Sequence, residues 1–195
     1  MSQIRIIGAG LAGSEAAWQC ARRGIEVDLF EMRPVRSTAA HQTSGFAELV
    51  CSNSLKSESE NTAPWLLKEE MRRTDSLLIE IAKRCAVPAG HALAVDRTAF
   101  SAAVTERLMR ESLIRICRDE VTRIPEDKIT IIASGPLTSD ALAEEIAQLS
   151  EASDAPASNS SPEHRLYFYD SISPIVEADS IDMSKVYFAA RYDKG

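Results

Sequence analysis

A chain of 195 residues, 45% hydrophobic and 26% charged, has the balance of a globular protein with its own core, amounting to one domain or one and part of another. Its formal net charge of -7 gives no support for a broad nucleic-acid-binding face, which is ordinarily basic. No apolar run approaches the ~20 residues that span a bilayer, and the apolar part of MSQIRIIGAG is too short for a signal peptide, so a cytoplasmic chain is expected.

Ile4 to Ile7 is apolar apart from Arg5 and rich in β-branched residues, which suits a strand buried on both faces. Gly8-x-Gly10-x-x-Gly13 follows, and the Ala-rich run Ala12 to Arg23 favours helix. Gly24 sits where a helix ends on positive φ, and Val27 to Phe30 reads as a second strand ending in Glu31. This is a βαβ unit with its glycines in the context that dinucleotide binding requires. Gly8 permits the tight turn, Gly10 lets a pyrophosphate approach the backbone, and Gly13 lets the helix pack on the strand. The free N–H groups of the helix start favour an anion there. Glu31, 18 residues past Gly13, is placed to bind a ribose hydroxyl, which favours FAD or NAD over NADP. The candidate cofactor-binding residues are therefore Gly8, Ala9, Gly10, Leu11, Ala12, Gly13, Glu31, Met32 and Arg33.

Residues 32–63 read as a long irregular loop leaving the C-terminal end of a strand, the edge where open α/β sheets bind ligands. One long helix is predicted from Pro64 to Cys85, with Leu67, Met71, Leu78, Ile81 and Cys85 as its apolar stripe. Glu69/Arg73 and Glu80/Arg84 have the spacing of helical ion pairs. HALAVDRTAFSAAVTERLMRES reads as a short strand and a helix starting near Asp96. LIRICRDEVTRI reads as one or two strands. KITIIASGPLTSDALAEEIAQL reads as a buried strand, a Gly-Pro turn and a helix, and Gly135 can bring a second strand end close to a cofactor. The alternation predicts an α/β, Rossmann-like FAD-binding fold with a mostly parallel sheet. Residues 1–149 form that domain, 150–164 a flexible loop or linker, and 165–195 its continuation or the start of an inserted domain.

The cysteines stand at 20, 51, 85 and 117, without CxxC spacing or a histidine nearby in sequence, so no metal site is expected. Cys85 and Cys117 fall on apolar elements and read as core. Cys51, in ELVCSNSLKS, lies on the long loop, and local sequence leaves filler, ligand and nucleophile open. His41 reads as a cofactor contact or an exposed loop residue, Asp96 and Arg97 as helix caps or cofactor contacts, and Arg72 and Arg73 as solvated surface or phosphate contacts.

Blocks covering nearly the whole chain apart from 150–164 resemble the TrmFO family of folate- and FAD-dependent tRNA (uracil-5-)-methyltransferases. They are GAGLAGSEAAWQCARRGIEVDLFEMRP, FAELVCSNSLKS, LLKEEMRRTDSLLI, VPAGHALAVDRTAFS, ASGPLTSDALAEEI and YFYDSISPIVEADSIDMSKVYFAARYDKG. The related GidA/MnmG tRNA-modifying flavoproteins share the fold and the glycine turn without ELVCSNSL. The resemblance implies formation of 5-methyluridine in the T loop of tRNA. Methylenetetrahydrofolate would give the carbon, reduced FAD the hydride, and NAD(P)H would re-reduce the flavin. It implies that Cys51 is one of two catalytic cysteines. A thiolate adding at uracil C6 generates an enolate able to attack an activated methylene carbon. Lys56 and the helix near Pro64 are candidates for lowering its pKa. The second cysteine belongs to a block beyond Gly195, and no Gly-Asp turn occurs in the chain, so an N-terminal portion, inactive in isolation, is expected. The alternatives are a GidA/MnmG-like flavoprotein and a non-catalytic nucleotide-binding module.

Overall fold

The computed structural model describes residues 3–152 together with 181, 182, 184 and 185. The 165–195 segment lies outside the described residues apart from 181, 182, 184 and 185. So does the 150–164 loop from 153 onward, and its first residues are helical.

Strand β1 (Ile4–Ile7), helix α1 (Leu11–Ala21) and strand β2 (Val27–Phe30) form the expected βαβ unit. Strands β3 (Ser54–Ser57), β4 (Ala86–Val87) and β5 (Ala92–Val95) follow, with helices α2 (Ala63–Arg73) and α3 (Leu77–Arg84) between β3 and β4. Helix α4 (Arg97–Met109) leads to β6 (Ile114–Cys117), β7 (Ile129–Ile132), a 3-10 turn (Gly135–Leu137) and α5 (Asp140–Ala152). Four strands make a parallel sheet in the order β6-β2-β1-β7. The core joins Ile6, Val27 and Leu29 of this sheet to Ala17 and Trp18 of α1, Leu77 and Ile81 of α3, and Phe100, Val104 and Leu108 of α4.

Two expectations are corrected. The segment 32–63 is not irregular throughout: β3 pairs with β5, and β5 with β4, in a small antiparallel sheet. The single helix over 64–85 is two helices. Asp75 takes a left-handed backbone (φ 54), and Ser76 starts α3 by accepting a hydrogen bond from the Ile79 N–H. Helix α1 grips this break. Trp18 Nε1 donates to the Asp75 carbonyl (3.1 Å), while Glu15 accepts from Ser76 Oγ (2.8 Å) and the Leu78 N–H (3.1 Å).

The break resets the helical phase. Leu67, expected on the apolar stripe, is 58% exposed, and Lys68 is 4% exposed instead. The Lys68 ammonium donates to the carbonyls of Leu55 (2.9 Å), Ser57 (2.7 Å) and Pro64 (3.0 Å), pinning the irregular strand β3 to α2. Burial pushes its pKa down, and the nearby Glu58 carboxylate opposes that. Lys68→Met would leave these carbonyls facing an apolar side chain. It should cost about 3 kcal/mol, read as a lower urea midpoint with an unchanged slope.

Candidate functional site

The glycine turn is the most tightly constrained part of the chain. A Cβ on Gly13 would lie 1.8 Å from the Gly8 carbonyl oxygen, so α1 can sit this close to the end of β1 only with glycine there. Gly8 has φ 99, and a Cβ there would meet the Ala133 carbonyl at 2.6 Å. Gly10 differs: its φ is -69, and a Cβ there would meet nothing within 4 Å. Gly10 is the N-cap of α1 and supplies no side-chain acceptor, whereas Thr62, Ser76 and Asp96 cap α2, α3 and α4 with their own side chains. The first-turn N–H groups of α1 therefore face a space that an anion can enter.

A cavity of about 80 Å³ opens beside this turn. Gly8, Gly10, Glu31, Met32 and Arg33 line it, all of them expected cofactor contacts. Ala9, Leu11, Ala12 and Gly13 build the turn without lining the cavity. Gly135, at φ 68, does not line it either; its neighbours Ser134, Leu137 and Thr138 do. Sequence reasoning missed Thr38, Asp119, Glu120 and Ser139, which share the wall. They come from loops at the C-terminal ends of β2, β6 and β7, which only the sheet order brings together. His41 lines the cavity as well, with Nδ1 2.7 Å from Thr38 Oγ1. Burial and the Arg33 charge depress its pKa, which favours the neutral ring.

Glu31 is 5% exposed. Its Oε2 accepts from the Ala9 N–H (3.1 Å), and its Oε1 from Arg33 N (3.1 Å) and Nε (2.8 Å). Burial opposes its ionisation, and the hydrogen bonds and charge of Arg33 more than offset this, holding the carboxyl below its ordinary range. Lone-pair capacity is left on Oε2 for a ribose hydroxyl. Arg33, an expected cofactor contact that lines the cavity, is also bonded away from it. Its guanidinium is turned into the protein, where Nη1 donates to Glu48 Oε2 (2.9 Å) and to the Thr43 carbonyl (3.0 Å). Glu48 went unnoticed in the sequence, although an acid inside the apolar run FAELV was the available signal.

Cys51 is exposed, while Cys20, Cys85 and Cys117 are half-buried. Among the described residues its thiol makes no hydrogen bond. The helix expected to act on it starts at Ala63 and is capped by Thr62. Leu49 and Val50, just before Cys51, line a second cavity of about 390 Å³ with Gln42, Thr43, Glu48 and Arg97. Among the described residues no group of His, Cys, Asp and Glu has the arrangement of a metal site, and no helix is long and apolar enough to cross a membrane.

Residues 3–195 match the family model described as glucose inhibited division protein A. The chain belongs to that family. It is 70% identical over 194 residues to the methylenetetrahydrofolate–tRNA-(uracil-5-)-methyltransferase TrmFO of Koribacter versatilis, covering 99% of this chain and 41% of that protein. With the TrmFO of Solibacter usitatus the identity is 60% over 191 residues, covering 98% and 40%. The chain thus spans about two fifths of the length of these curated relatives. Among solved structures, GidA of Aquifex aeolicus matches with a TM-score of 0.51 at 15% identity, over 65% of this chain and 21% of that one, a likeness of fold.

The glycines separate two kinds of damage. Gly13→Ala should destabilise the protein by about 3 kcal/mol, because backbone must move. Gly10→Ala should leave the thermal midpoint of the free protein nearly unchanged and weaken ADP binding by roughly tenfold or more. Thermal unfolding and calorimetric titration with ADP check both.

Proposed function

We propose that this chain is the FAD-binding, thiol-bearing portion of a methyltransferase that forms 5-methyluridine in the T loop of tRNA. Methylenetetrahydrofolate is the carbon donor and NAD(P)H the source of reducing equivalents. The observation that carries this reading is the exposed Cys51 on a segment fastened to a dinucleotide-binding turn, in a chain 70% identical to a relative named for that activity. The GidA/MnmG-like alternative shares the fold, and the names of the more similar relatives favour the methyltransferase.

The residues present fit the ADP half of FAD. The uncapped start of α1 would take the pyrophosphate, Gly10 leaves it room, and Glu31 would accept from the ribose. Bound flavin supplies a hydride to the transferred carbon. A thiol adding to C6 of uracil would make C5 nucleophilic, and a base must then remove the proton at C5. Cys51, exposed to solvent, is available for one of these steps, and the family resemblance implies a second cysteine for the other. Among the basic side chains of α2 to α4, Arg72, Arg73, Arg84, Arg107 and Arg110 are each paired with a glutamate.

Two outcomes test the proposal, in a protein carrying this sequence at the full length of its relatives. It should purify yellow or take up FAD stoichiometrically. A colourless protein with no flavin spectrum after FAD addition sinks the cofactor assignment. Cys51→Ala should lower methyl transfer to tRNA by at least about a thousandfold with the flavin spectrum retained. Unchanged methylation would remove Cys51 from the chemistry.

A further inference from the structure

The segment that leads to Cys51 is tied to the dinucleotide turn, to α4 and to Arg118 just after β6. The Ala47 N–H donates to the carbonyl of Ala9, the residue between the first two glycines (2.9 Å). Ser101 Oγ donates to the Phe46 carbonyl (2.7 Å), the Phe46 N–H donates to Thr105 Oγ1 (2.8 Å), and Phe46 and Ala47 are fully buried. Arg118 donates to the carbonyls of Arg33 (2.9 Å) and Ser44 (2.8 Å).

The charged link is more specific. Arg33 is 3% exposed and bridges two carboxylates, Glu31 on the dinucleotide cavity and Glu48 three residues before Cys51. Glu48 in turn organises the segment around it. Its Oε1 accepts from the Gln42 N–H (2.9 Å), and its Oε2 from the Thr43 N–H (3.1 Å) and Oγ1 (2.8 Å). Glu48 also lines the second cavity, whereas Glu31 and Arg33 line the first. The row Glu31–Arg33–Glu48 therefore spans from one cavity to the other, with Glu31 on Nε and Glu48 on Nη1 of one shared guanidinium.

We propose that Glu48 is a positioning residue which, through Arg33, couples occupancy of the ribose site at Glu31 to the placement of the Cys51 segment. A ribose hydroxyl donating to Glu31 draws on the carboxylate that holds Arg33. The balance of Arg33 between Glu31 and Glu48 shifts, and Glu48 passes the shift to residues 42–43 and onward to the thiol. Linkage requires the effect to run both ways. The inference rests on the dinucleotide reading of the site and goes beyond it by naming the residue that carries the coupling.

The test uses the full-length protein freed of flavin, with ADP as the probe, because ADP fills the ribose and pyrophosphate positions without the isoalloxazine that could shield the thiol. The rate of Cys51 alkylation by iodoacetamide is followed by peptide mass spectrometry, with and without saturating ADP, across pH. In the wild type ADP should change the rate by about threefold or more. In Glu48→Gln that response should vanish, with ADP affinity changed by less than about threefold. Thr43→Val, which removes the hydroxyl that donates to Glu48 and accepts from the Gly45 N–H without changing any charge, should reduce the response by about half and guards against misfolding of the first variant. An undiminished response in Glu48→Gln, or none in a wild type that binds ADP, overturns the coupling. A wild type that binds neither ADP nor FAD overturns the dinucleotide reading itself and the coupling with it.

Discussion

The arrangement depends on how closely α1 approaches the end of β1. The distance that a Gly13 Cβ would leave to the Gly8 carbonyl, 1.8 Å, is far inside any allowed contact. Because the helix can sit there, its N-terminus comes level with the C-terminal ends of β1 and β7, and the Ala9 N–H reaches the Glu31 carboxylate. A larger residue at Gly13 would move the helix out, and one at Gly8 would meet the backbone just after β7, so either would disturb the groups proposed to hold the anion and the ribose. One steric constraint thus fixes an electrostatic one.

Outside that turn, polar groups fasten the excursion between β2 and β6 to the sheet. Arg33 is the costliest of these fastenings to break, since an unpaired guanidinium at that depth would lose about 3–5 kcal/mol. Lys68 works similarly on β3, with carbonyls in place of carboxylates. Both bring a cation inside to satisfy irregular backbone, which a loop needs if it is to hold a fixed shape against a core. The long segment after β2 is therefore largely shaped by buried charge, and its thiol is left in solvent.

The parallel sheet, the glycine turn and Glu31 were legible because each follows from local rules: a buried apolar run, missing Cβ atoms and a fixed spacing. The single helix over 64–85 was misread because its charge pairs and apolar steps continue across the break. The cue was Thr74-Asp75-Ser76, whose small polar side chains favour turns and caps, and α1 supplies the partners that make the break pay. Leu67 and Lys68 exchanged places for that reason. The small antiparallel sheet was missed because β3 is short and shifted in register, with Lys56 at φ 68. At the site, residues adjacent in sequence were found, while Thr38, Glu48 and Ser139 were not. They meet the cavities or Arg33 only through the order of the strands and the path of the loop.

Helices α2, α3 and α4 close their own N-termini with Thr62, Ser76 and Asp96, and α1 does not. A helix that leaves its first donors uncapped is nonetheless formed and packed into the core through Ala17, Trp18 and Ala21. An anion bound at that end, as proposed above, would bind the folded chain alone and so stabilise it by mass action, without adding a single contact to the core.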